Sequence, residues 1–67
     1  MHNIYVNGNL IQTQTNNLQQ LLIEQGFSDS SPVATAVNGK FIAKTQRQDY
    51  ELKSNDKVEI VAPMQGG

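Results

Sequence analysis

Asn-Gly occurs twice in this chain, as Asn7-Gly8 and Asn38-Gly39, each time directly after a short segment patterned like a strand. A type I′ turn needs positive φ at both central residues, and Asn-Gly meets that need better than almost any other pair. Each pair therefore predicts a hairpin, and two hairpins leave a chain this short few ways to fold. Before the first, His2-Asn3-Ile4-Tyr5-Val6-Asn7 places Ile4 and Val6 on one face and Asn3, Tyr5 and Asn7 on the other, the mark of a half-buried strand. Residues Asn9–Thr13 return, with Leu10 or Ile11 supplying the inward side chains. Around the second pair, Val33-Ala34-Thr35-Ala36-Val37 reads as a strand and Lys40-Phe41-Ile42-Ala43 continues beyond the turn. The pattern leaves two inward sets open for that third strand: Ala34 with Ala36, or Val33 with Thr35 and Val37.

Between the hairpins the periodicity changes. Leu18, Leu21, Leu22 and Gln25 fall at i, i+3, i+4 and i+7, while Asn17, Gln19, Gln20 and Glu24 take the wet side. Thr15 or Asn16 can cap the first turn. Gly26 and Phe27 then suit the C′ and C″ positions of a Schellman ending, with Phe27 packing back on Leu22. The spacing predicts a helix over about 16–25, too short to stand without a sheet beneath it. Residues 28–32 form a loop by composition, and Lys44–Asp49 is a polar crossing, irregular or briefly helical. Tyr50-Glu51-Leu52 suggests a short edge strand and Ser54-Asn55-Asp56 a turn. Residues 58–62 make the most hydrophobic strand, with Val58 and Ile60 facing one way and Glu59 and Val61 the other. The order is strand, strand, helix, then two or three more strands. It predicts an α+β, β-grasp (ubiquitin-like) fold: a mixed four- to five-stranded sheet on one helix, first and last strands adjacent at its centre.

Sixty-seven residues make one domain, here residues 1–62, followed by a tail at 63–67. A domain of this size buries only about 60% of its unfolded surface, which leaves no room for a deep cleft and favours a carrier or binding module over an enzyme. With no cysteine there is no disulfide, thiolate metal site or cysteine nucleophile. A net charge of −1 provides no field for nucleic acid or a membrane surface. No run is long enough to span a membrane and no signal peptide opens the chain, so a cytoplasmic protein is expected. His2 is the only histidine and has no visible partner. Glu24, Asp29, Asp49, Glu51, Asp56 and Glu59 show no paired spacing and read as solvated surface; Lys40, Lys44 and Arg47 form a mild basic cluster that reads as a solvated face, with a docking patch as the alternative. No catalytic or metal-binding set is expected.

The tail is Pro63-Met64-Gln65-Gly66-Gly67. Pro63 lacks a backbone N–H and ends ladder pairing. Gly66 and Gly67 lack Cβ, so the tip is thin, flexible and fits a channel no wider than a backbone. Five extended residues reach roughly 15–18 Å. Tyr5, Val61 and Met64, all outside the expected core face, form a candidate apolar patch for a partner.

Strand one closing in Val6-Asn7-Gly8, a leucine-rich helix ending at Gly26, Val33-Ala34-Thr35-Ala36-Val37-Asn38-Gly39, and the closing Val58-Glu59-Ile60-Val61-Ala62-Pro63-Met64-Gln65-Gly66-Gly67 together resemble the ThiS family, the small sulfur carriers of thiamine thiazole biosynthesis. The likeness spans nearly the whole chain and is most specific at its end. It departs after Ile42, where such proteins often carry Pro-Arg and an aromatic residue and this chain has Ala43-Lys44-Thr45-Gln46-Arg47.

The resemblance implies chemistry at Gly67. An α-carboxyl has an ordinary pKa of roughly 3.3–3.7, and its ionised form resists nucleophiles until activated. A ThiF-like adenylating enzyme would use ATP and Mg²⁺ to form an acyl-adenylate there, the tail Pro63, Met64, Gln65 and Gly66 threading into its site. Sulfur from a donor such as a cysteine desulfurase would displace AMP, and the thiocarboxylate would feed a thiazole synthase. The carrier itself would bind no cofactor. The alternatives are a carrier of the molybdopterin synthase small-subunit type, a ubiquitin-like modifier, and a β-grasp interaction domain with no sulfur chemistry.

Overall fold

The computed structural model describes residues 1–28 and 31–62. Five strands, β1 (His2–Val6), β2 (Asn9–Thr13), β3 (Ala34–Val37), β4 (Lys40–Ile42) and β5 (Lys57–Val61), form one mixed sheet in the order β2-β1-β5-β3-β4. β1 and β5 are parallel neighbours, with Val6 opposite Val58, and the other pairings are antiparallel. One α-helix, α1 (Leu18–Glu24), and a 3₁₀ helix, Lys44–Asp49, complete the described residues. This is the β-grasp arrangement expected, with first and last strands adjacent at the centre. The 3₁₀ helix fills the polar crossing predicted for that stretch.

Both Asn-Gly pairs form the turns their chemistry demands: Asn7 and Asn38 have φ of 50 and 52, Gly8 and Gly39 of 85 and 83. The two-residue loops fix the registers Val6 with Asn9 and Val37 with Lys40. Ile4, Val6, Val37, Ile42, Val58 and Ile60 consequently share the sheet's inner face, over which Leu18, Leu21 and Leu22 of α1 close the core with Leu52. Thr35 and Val37 are buried while Ala34 is exposed, which resolves the third strand in favour of its β-branched set. On β2 the inward side chains are Ile11 and Thr13; Leu10 is exposed.

The helix ends as expected and begins later. The Phe27 N–H donates to the Leu22 carbonyl at 2.9 Å and the Gly26 N–H to that of Ile23 at 3.0 Å, with Gly26 at φ 97, a Schellman motif. Phe27 packs on the core. The cap, however, is Asn17, whose side chain accepts from the Gln20 N–H at 2.8 Å, in place of Thr15 or Asn16. A long-range pairing accounts for the delay. The Leu18 N–H donates to the Tyr50 carbonyl at 3.0 Å and the Leu52 N–H to that of Asn16 at 2.9 Å, keeping residues 16–17 extended. The same contacts correct the edge strand expected at Tyr50-Glu51-Leu52. That segment forms a single bridge, Asn17 with Glu51, to the lead-in of the helix and does not join the sheet.

Arg47 is not part of a solvated basic face with Lys40 and Lys44. It is 3% exposed and reaches inward, its Nε donating to the Thr35 hydroxyl at 3.1 Å and an Nη to the Val33 carbonyl at 2.7 Å.

Candidate functional site

The residues singled out by the sequence, 63–67, lie outside the described residues and follow β5 after Ala62. β5 carries the chain to Ala62 and occupies the middle of the sheet, flanked by β1 and β3. β1 flanks the first half of β5 and β3 pairs with its residues 58–61, so the strand leads the chain out from within the sheet and not along its outer edge.

α1 covers one face of the sheet, and no described element covers the other. Alternation sends Lys57, Glu59 and Val61 of β5 to this open face, with Val61 at 61% exposure. Its antiparallel partner there is Ala34; Ala36 pairs with Glu59 on one side and Phe41 on the other. Phe41 is 65% exposed. Ala34 with Val61, and Ala36 with Phe41, are thus two apolar pairs on this face. Tyr5 is on the same face but pairs with Lys57 and with Leu10, at the opposite end of β5. At a rise of about 3.3 Å per residue, Tyr5 and Val61 are some 13 Å apart along the strand. The structure therefore places Tyr5 and Val61, two of the three predicted patch residues, on the open face without bringing them together. Val61 lies opposite Ala34, Phe41 opposite Ala36 on the far side of β3, and half-buried Tyr5 between Leu10 and Lys57. Phe41 was legible from the sequence. A two-residue turn at Asn38-Gly39 puts Phe41 opposite Ala36 and, by alternation, on the face away from Ile42. Met64 lies outside the described residues.

Among the described residues the acidic groups and the single histidine do not assemble. Among the described residues no three of His, Cys, Asp and Glu come together as a group that could hold a metal ion. His2 Nε2 lies 3.5 Å from Asn16 Oδ1 at the surface. Glu24 accepts from the Thr13 hydroxyl at 2.9 Å, and Asp56 from the backbone N–H of Lys53 at 2.8 Å, both structural uses of a carboxylate. Among the described residues no helix is long and apolar enough to cross a membrane.

A family model, that of the ThiS family, matches residues 4–67. The chain belongs to the ThiS family. The match includes the diglycine as well as the folded body. Among solved structures, the crystal structure of the thiamine biosynthesis protein ThiS from Geobacter metallireducens superposes with a TM-score of 0.80 at 25% identity, covering 97% of this chain and 99% of that one. The NMR solution structure of a thiamine biosynthesis protein from the same organism gives 0.79 at 25% identity, covering 97% and 87%. Comparison with curated proteins returns no match. The similarity of this ThiS-family chain to those structures thus extends across both molecules.

Proposed function

We propose that this chain is a sulfur carrier of thiamine biosynthesis and that Gly67 is its working residue. One observation carries the reading: a ThiS-family match that runs through Gly66-Gly67, on a fold whose last strand is the central one. The Gly67 carboxylate attacks the α-phosphorus of ATP, pyrophosphate leaves, and an acyl-adenylate remains. A persulfide sulfur from the donor then adds at the acyl carbon and AMP departs, giving an acyl disulfide; a thiol of the partner enzymes attacks the donor-side sulfur, releasing the thiocarboxylate and leaving a disulfide on the partners. ATP, Mg²⁺ and the acid–base groups belong to a ThiF-like adenylating enzyme, the sulfur comes from a donor such as a cysteine desulfurase, and a thiazole synthase consumes the product. The carrier contributes the electrophilic carbon and access to it. Gly66 and Gly67 make the tip narrow enough to enter an adenylating site, and Pro63, Met64 and Gln65 give it reach.

The open sheet face is the docking surface in this reading. Val61 with Ala34, and Phe41 with Ala36, offer apolar area on that face, and Tyr5 with Leu10 a further contact.

Gly67→Ala tests the assignment by ATP–pyrophosphate exchange with an adenylating enzyme. A methyl group at the terminus should reduce kcat/KM by about two orders of magnitude, since a misplaced reacting carbon loses the benefit of orientation. Exchange at the wild-type rate would show that the site accepts a side chain and overturn the argument that the tip must be bare backbone.

A further inference from the structure

β1 and β5 share main-chain bonds along only part of β5. The Tyr5 N–H donates to the Asp56 carbonyl and the Asn7 N–H to that of Val58, each at 2.9 Å. The next groups on that edge of β5 are the N–H and carbonyl of Ile60. Main chain cannot follow them, because Asn7, at φ 50, already turns away toward β2. The Asn7 side chain replaces it. The Ile60 N–H donates to Asn7 Oδ1 at 2.8 Å, and Asn7 Nδ2 donates to the Ile60 carbonyl at 3.2 Å. One carboxamide extends the parallel ladder by one residue. Asn7 therefore has two separable duties: a backbone conformation for the turn, and an amide for the end of β5. Gly could perform the first and not the second; Asp could accept from Ile60 but not donate to it.

We propose that Asn7 is a positioning residue for the carboxyl-terminal segment, its amide fixing the end of β5 so that residues 63–67 depart from a defined point. The proposal rests on the carrier reading. Without the amide, the β1-side edge of Ile60 is open, and residues 60–61 keep strand pairing only with β3, through the Thr35–Ile60 and Ala34–Val61 pairs, beside the packing of the Ile60 side chain in the core. Fraying of those two residues adds about 6–7 Å of loose chain, a large change against a tail of roughly 15–18 Å. That loose chain must be ordered again whenever a partner takes the tip.

Asn38 supplies a matched control. It too adopts positive φ, and its side chain accepts from the Lys57 N–H at 2.9 Å and donates to Asp56 Oδ1 at 3.0 Å. Both Asn-Gly turns thus grip β5, Asn38 where the strand begins and Asn7 where it ends.

The test compares full-length wild type, Asn7→Gly, Asn7→Asp and Asn38→Gly by amide hydrogen exchange and by ATP–pyrophosphate exchange with an adenylating enzyme. Both glycine variants keep the turn and lose an amide. Two lost hydrogen bonds should speed exchange of the Ile60 amide about tenfold or more in Asn7→Gly and lower its kcat/KM as a carrier about fivefold or more. Asn38→Gly, at equal fraction folded, should stay within about twofold of wild type as a carrier, and Asn7→Asp should fall between. The proposal is overturned if Asn7→Gly serves as well as wild type, or if the two glycine variants decline together in proportion to their stabilities. If wild type itself supports no exchange with an enzyme active on its own carrier, the carrier reading fails first and takes the positioning role with it. The Ile60 amide would then report a purely structural bond.

Discussion

Arg47 shows how much a single side chain holds in a core this small. Its guanidinium is anchored by neutral oxygens, those of Thr35 and Val33, and the Thr35 hydroxyl in turn donates to the Ile42 carbonyl at 3.0 Å. This chain of bonds ties the 3₁₀ helix to β3 and β4. Arg47→Ala removes charge-assisted bonds and the packing of a long stem, and should lower stability by about 2–4 kcal/mol, read as a lower urea midpoint with unchanged slope. Arg47→Lys should recover little of it, because an ammonium cannot reproduce the fork that reaches both oxygens. Gly39 isolates a different effect. An added Cβ there meets nothing within 4 Å, yet φ is +83, so Gly39→Ala should destabilise by about 1–2 kcal/mol through backbone strain alone, measurable by the same denaturation.

At the scale of elements, local chemistry decided the turns and the helix end, and both were legible. Asn7-Gly8, Asn38-Gly39 and Gly26-Phe27 each carry their geometry in two adjacent residues. The helix start was not legible, because it is set by bonds to Tyr50 and Leu52, far along the chain. Thr15, Asn16 and Asn17 are equivalent as caps until that pairing chooses among them. Asn17→Ala should therefore destabilise by about 1 kcal/mol, while Asn16→Ala should change stability by no more than about 0.5 kcal/mol; thermal unfolding of the two separates them. The burial of Arg47 was equally hidden, since a cation in a polar stretch reads as solvated until the tertiary fold brings Thr35 and Val33 to it. The inward face of β3 needed the sheet as well: Ala34 and Thr35 alternate without an intrinsic preference that outweighs packing.

For the whole molecule, the open face and the central last strand belong together. In the proposed reading the sheet, covered by α1 on one side, offers its other side to a partner, and β5 ends on that face at Val61. Val61→Asp and Phe41→Glu place charge on exposed positions, so each should alter folding stability by no more than about 0.5 kcal/mol. As buried anchors of a docked complex they should weaken binding of the adenylating enzyme about tenfold or more, measured by titration calorimetry. Tyr5→Ala should weaken it less, given its separation from Val61. The face was partly legible: alternation gave Val61 and Tyr5, but their spacing required the register of β1 on β5.

The central claim is that sulfur is carried on the Gly67 carboxyl, and intact mass spectrometry with a thiol-reactive tag tests it directly. The chain is incubated with ATP, Mg²⁺, an adenylating enzyme and a sulfur source, then tagged. Replacing oxygen by sulfur adds nearly the same mass as oxidising Met1 or Met64, so the tag is essential. Because the chain has no cysteine, a tag that requires ATP marks a thiocarboxylate. The account predicts a single tag, present after the full reaction, absent without ATP and abolished by deletion of Gly67. No tag, with an enzyme shown to be active on another carrier, would contradict it and leave a β-grasp interaction domain.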